Sequence, residues 1–168
     1  MQGRTAQQQQ AIVAIVLRSL VPAPVLALIR TCFDPTPLVC ELNAWFATLL
    51  FQWLVGPCTV RSVEIVTPEG KRQQQNSEVY IQKCRYLEQT RCVGLCTNMC
   101  KLPTQAFFQD GFGIPLTLTP NFEDFSCEMV FGQVPRPLEE EPLYQQPCLL
   151  HQCPSAVTTP IPCPKVRN

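Results

Sequence analysis

The sequence predicts a small single α+β domain: helices packed on a short, mainly antiparallel sheet, with a Cys/Pro-rich C-terminal tail folded back onto it. Three observations carry this. Apolar runs of helical length are closed by proline or glycine, whereas "TVRSVEIV", "IPLTLTP" and "SCEMVFG" alternate and favour β-branched residues. The chain has 168 residues, 46% hydrophobic and 15% charged, which is enough apolar material for one core. Eight of the 17 prolines fall after residue 133, together with three cysteines that a disordered linker would not need. The chain therefore divides into a low-complexity start (1–10), an α+β body (11–133) and a Pro/Cys-rich tail (134–168).

Each element has its own signal. "AIVAIVLRSL" (11–20) reads as a helix that Pro22 and Pro24 end or kink. Beyond Pro35 and Pro37, "LVCELNAWFATLLFQWLVGPC" reads as a second helix closed by Gly56 and Pro57. Its apolar end, Trp45 to Val55, is too short to span a bilayer. It reads as a core helix or, with two tryptophans and two phenylalanines, as one laying a face against lipid. Residues 59–66 read as a strand and "TPEGKRQQQN" as a polar turn. Asn76 or Ser77 can cap a helix carrying Ile81, Cys84 and Leu87. The cysteine run then stops at Pro103, and Thr104 caps a short helix through "QAFFQD" that Gly111 ends. Two strands follow, joined by "NFED", where Asp124 caps the turn. Glu123 and Glu128 face solvent or offer a protonation route.

Composition excludes several functions. Net charge is zero with no basic stripe, which argues against nucleic acid. None of the seven glycines forms a dinucleotide fingerprint, which argues against hydride transfer. The one histidine, His151, cannot supply a two-histidine facial triad, and no C-x-x-C-H haem motif occurs. No acidic residue precedes Asp34, but serine is scarce and Arg18 breaks the first apolar run, so no convincing transit or signal peptide is read.

The eleven cysteines pose the main question. Cys84, Cys92, Cys96 and Cys100 are spaced eight, four and four apart. Disulfides, a metal or cluster site, and core packing all compete for them. On a straight helix 92, 96 and 100 share one side, but the end residues lie roughly 12 Å apart, too far for one metal ion. Either the helix breaks, with Gly94 the weak point, or one end cysteine serves elsewhere. The spacing is neither a zinc ribbon nor the bacterial ferredoxin run. Zinc, cuprous copper and iron–sulfur all suit thiolates, and spacing does not choose between them.

"CRYLEQTRCVGLCTNMCKLPTQAFF", "FGIPLTLTPNFEDFSCEMVFGQ", "QPC" at 146–148 and "PIPCPK" at the end resemble one family. It is the plastid β-carotene isomerases of the dwarf-twenty-seven type, which open the strigolactone pathway. "LFQWLVGPC" is similar to that family's helix-to-strand junction, and the resemblance covers roughly residues 12 to 167. It implies an iron-containing plastid enzyme converting all-trans-β-carotene to the 9-cis isomer. Cys84, Cys92, Cys96, Cys100, Cys127, Cys148, Cys153 and Cys163 fall in family-like segments, whereas Cys32, Cys40 and Cys58 do not. The candidate metal ligands are Cys92, Cys96, Cys100, Cys127, Cys148 and Cys153, holding iron singly or in an iron–sulfur cluster. An apolar slot for the hydrocarbon draws on Phe107, Phe108, Phe112, Trp45 and Trp53, each of which also suits core packing. The expected partners are a carotenoid substrate, a membrane surface contacted peripherally, and an electron-transfer partner of unspecified identity. Two rival readings are a non-catalytic iron–sulfur or zinc protein, acting as electron carrier or scaffold, and a carotenoid-binding protein without turnover.

Overall fold

In the computed structural model, which describes residues 4–32, 34–66, 70, 72–137, 140–149, 163 and 166, one antiparallel sheet forms the centre. Its strands are β1 (Cys58–Val66), β2 (Arg72–Ile81), β3 (Leu116–Pro120) and β4 (Cys127–Phe131), in the order β1-β2-β4-β3. Cys58 pairs with Ile81, Ile81 with Cys127, and Cys127 with Pro120, so one register line crosses the whole sheet. The α+β class and the folded-back tail stand.

Three helices precede the sheet: α1 (Ala6–Leu20), α2 (Ala23–Cys32) and α3 (Pro37–Val55). Thr5 and Gln8 form a capping box, and the glutamine run lies in the first turns of α1. Helix α2 was not legible in the sequence and buries none of its residues. Helix α3 starts on Thr36 and ends at Gly56, whose φ of 94° needs glycine. It lies on the sheet through Cys40, Ala44, Ala47, Thr48 and Val55. The fit is tight at Gly132, where an added Cβ would stand 3.1 Å from Cys40 Sγ.

Two expectations fail here. Residues Arg72–Ile81 form a strand rather than a turn followed by a helix cap. Gln75, Ser77, Val79 and Ile81 alternate inward, but the first two are polar and conceal the period. Gln75 Nε2 donates to Ser77 Oγ at 2.7 Å and to the Phe131 carbonyl at 3.0 Å, which offsets its burial. The second concerns length. At 19 residues, most of them apolar, α3 is long enough to cross a membrane. It nonetheless has one side committed to the sheet, which a spanning helix would draw into hydrocarbon.

After α4 (Arg85–Thr90), helix is continuous from Val93 to Phe112: α5 (Val93–Leu95), a π-helix (Cys96–Lys101), α6 (Leu102–Phe107) and a second π-helix (Phe108–Phe112). It does not stop at Pro103, and it ends on Gly113 (φ 72°) rather than Gly111. The Leu102 amide reaches back five residues to the Thr97 carbonyl, and this wider turn suits a proline ring that an α-helix interior rejects. Helices α1 and α2 lie over this run, with Gln10 Nε2 donating to Asn98 Oδ1 at 3.2 Å and Arg30 to the Asp110 carbonyl at 3.0 Å.

The tail returns across the same run. Lys101 Nζ meets Glu141 Oε2 at 2.6 Å, with side-chain exposures of 3% and 9%. The Cys163 amide donates to the Gln146 carbonyl, and Leu143, Cys163 and Val166 pack with Val93 in a second apolar cluster.

Candidate functional site

The cysteine segment departs from a straight helix at its start. Cys92 has extended backbone (φ −132°, ψ 112°), and the helix begins only after it. Cys96 and Cys100 sit on the first π-helix, Cys84 precedes α4, and Cys127 opens β4. π-Helical turns often mark functional sites. Backbone strain marks this one too: Arg91 (φ 42°) and Phe125 (φ 65°) are left-handed non-glycine residues. The two touch, with the Arg91 guanidinium 5.8 Å from the Phe125 ring centre, and the Phe125 carbonyl accepts from the Cys84 amide at 2.7 Å.

Electrostatics place the thiols together. Burial and then electrostatic repulsion from neighbouring Cys84 push Cys100 up to about 12. Burial raises Cys96, with further repulsion from Cys100, Cys84 and Cys92 that Lys101 partly offsets. Cys127 rises well above the usual thiol range by burial and then by Cys100, Cys96 and Cys84. The Tyr86 hydroxyl is held up to about 12 by burial and by the four cysteines Cys100, Cys96, Cys92 and Cys84. Cys84, Cys96 and Cys127 pack in one apolar cluster with half-buried Cys100 and Tyr86 against it, and Cys92 and Lys101 stand within electrostatic reach. Cys84 and Tyr86 extend the predicted set. The quoted segment contained Cys84, but no sequence pattern pointed to Tyr86.

The other predicted ligands lie differently. Cys148 is half-buried against the second apolar cluster, and Cys153, like His151, lies outside the described residues. Cys32, Cys40, Cys58, Cys84, Cys92, Cys96, Cys100, Cys127 and Cys163 carry free thiols. Packing suffices for Cys40 and Cys58, both buried in the core.

Among the described residues, no three His, Cys, Asp or Glu side chains already converge as the ligands of one ion. The donor chemistry does fit a soft metal: Cys96, Cys100 and Cys127 are each made harder to ionise by burial and by neighbouring cysteines, and a bound cation would relieve that repulsion.

The predicted slot residues separate into two groups. Phe107, Phe108 and Phe112 pack with ring centres 5.3–5.9 Å apart, and Phe108 sits edge-on to Phe131. Helix α2 covers them, with Leu26 facing Gly111. Trp45 and Trp53 instead point outward from α3. A cleft of about 460 Å³ lies beside Ser126 and Glu128, but Asn121, Glu123 and Gln146 make it too polar for a hydrocarbon.

The thiol of Cys40 carries a pH prediction. Burial first, then the Glu41 charge, lifts it from 9.0 to about 11. The neutral form is favoured in the folded state, so its stabilisation is fully present below pH 9 and lost as pH rises through 11. Denaturation midpoints of the parent and Cys40→Ala should differ most below pH 9 and converge toward pH 11. A constant difference would contradict this.

Fold and site together define a small α+β domain with a group of buried and half-buried thiols. Residues 53–140, just over half of the chain, match the family model described as Beta-carotene isomerase D27-like, C-terminal. The chain belongs to that family. It is similar to the Medicago truncatula protein named Beta-carotene isomerase D27, chloroplastic: 46% identical over 141 residues, covering 84% of this chain and 54% of that protein. An Arabidopsis thaliana protein of the same name is 42% identical over 144 residues, covering 86% and 52%. The chain spans about half the length of these curated relatives. No solved structure matches it.

Proposed function

We propose that this chain isomerises carotenoids in the plastid, converting all-trans-β-carotene to its 9-cis form for strigolactone-type biosynthesis, with iron bound at the thiol cluster. One observation carries the reading. Five cysteines, Cys84, Cys96 and Cys127 buried and Cys92 and Cys100 half-buried, lie within electrostatic reach of one another in a chain whose relatives are named chloroplastic beta-carotene isomerases. Cys92, Cys96, Cys100 and Cys127 would hold the iron, with Cys148 and Cys153 brought by the tail. Thiolate-bound iron, single or in a cluster, supplies a one-electron couple tuned by burial and by hydrogen bonds to sulfur.

The chain's own groups have definable tasks. Lys101, paired with Glu141, is fixed beside the sulfurs. Tyr86 retains its proton at neutral pH and can donate it in a hydrogen bond. Phe107, Phe108 and Phe112 offer an apolar floor, which α2 covers without burying any residue of its own. Isomerisation changes neither mass nor oxidation state, so no cosubstrate is consumed.

Incubation of the iron-loaded protein with all-trans-β-carotene should yield 9-cis product of unchanged mass. Cleaved apocarotenals, or incorporated oxygen, would overturn the proposal. Carotene bound but left unchanged by fully loaded protein would favour a binding protein, and iron without carotene binding would favour an electron carrier.

A further inference from the structure

We propose that the outward half of α3 seats this protein in the plane of a lipid bilayer. The helix is apolar on both sides. Cys40, Ala44, Ala47, Thr48 and Val55 face the sheet, while Leu42, Trp45, Phe46, Leu49, Leu50 and Trp53 occupy roughly the opposite half of the circumference. Trp45 is 52% exposed and Trp53 72%. Among the described residues, none covers this second face.

Charge selects lipid as its occupant. Glu41, the one acidic residue of α3, is turned away and accepts from the Asn76 amide of β2 at 2.8 Å, leaving the outward stripe without charge. Arg85 stands at the far end, donating to the Trp53 carbonyl at 2.8 Å. Arg18 and Arg30 close α1 and α2, which also present Ile15, Leu20 and Leu28 to the outside. An uncharged stripe that includes two tryptophans, with Arg85 at its far end, matches the boundary between acyl chains and anionic headgroups. The sheet on the other side of α3 keeps the helix lying in the surface rather than crossing it. The inference deepens the proposed isomerase by bringing it to where carotene dissolves, and it rests on that reading for the substrate alone.

Both tryptophans of the chain lie on the stripe, so their emission reports its environment. The 168-residue chain is mixed with phosphatidylcholine vesicles, with and without phosphatidylglycerol. The expected result is a blue shift and co-flotation, strongest with phosphatidylglycerol, and release by alkaline carbonate. Leu49→Gln/Leu50→Gln should bind about tenfold more weakly or worse, while still isomerising detergent-dispersed carotene at the parent rate. Absence of flotation and shift overturns the inference, as does a dimer that hides the tryptophans and leaves vesicles unbound. Retention after carbonate overturns the in-plane seat. If isomerisation fails while vesicle binding persists, the functional proposal falls and the docking stands; the reverse result removes the docking alone.

Discussion

Cys96→Ser and Cys100→Ser should each empty the protein of iron and abolish isomerisation, while Cys32→Ser, at an exposed thiol outside the cluster, leaves both intact. Groups that only orient a metal's ligands are typically worth about 10–100-fold in affinity or activity, so loss of a ligand costs at least that. Serine is nearly isosteric, and circular dichroism with thermal melts separates lost metal from lost fold. The same cluster sets a pH dependence on loading. With Cys100 held up to about 12, its proton must leave before the sulfur can bind metal. Iron uptake by the apo-protein should therefore release protons and rise with pH across the neutral range. Full iron content in both cluster variants would remove the thiols from the metal site.

The second large effect belongs to the tail. Lys101→Met alone leaves the Glu141 carboxylate buried without its partner, which costs about 3–5 kcal/mol of stability. Lys101→Met with Glu141→Leu removes both charges and should recover most of that loss, because an apolar pair avoids desolvation altogether. Urea denaturation of the parent, both single variants and the double variant measures the cycle. A single-variant loss below about 1 kcal/mol, the range of exposed pairs, would mean that the tail does not seal the cysteine segment.

Much of this architecture was legible in the sequence where local chemistry and tertiary role agree. Thr36 and Gly56 bound α3 as proline and glycine punctuation suggests, and β1, β3 and β4 alternate openly. Asp124 accepts from the Ser126 amide at 2.8 Å, as its place in the turn implies. Legibility fails where long-range partners decide. Gln75 and Ser77 are inward strand positions only because each has a polar partner across the sheet or beside it. Helix α2 has no buried stripe to announce it. The first π-helix shifts Cys96 and Cys100 away from the 3.6-residue period on which the single-stripe geometry depended. Cys92 leaves the helix altogether, one of the two outcomes that the spacing allowed, although the break falls before Gly94. The grouping of Cys84 with the later cysteines depends on strained backbone at Arg91 and Phe125, which residue type gives no reason to expect.

The most direct measurement is the approach to isomer equilibrium from both sides. Iron-loaded protein is incubated in parallel with pure all-trans-β-carotene and pure 9-cis-β-carotene, and isomers are separated by chromatography until the composition stops changing. Isomerisation at the thiol cluster predicts one common final ratio from either start, unchanged total carotene, and no conversion by Cys96→Ser. Two starting pools that stay as they were at full iron occupancy, or conversion that survives in Cys96→Ser, would contradict it.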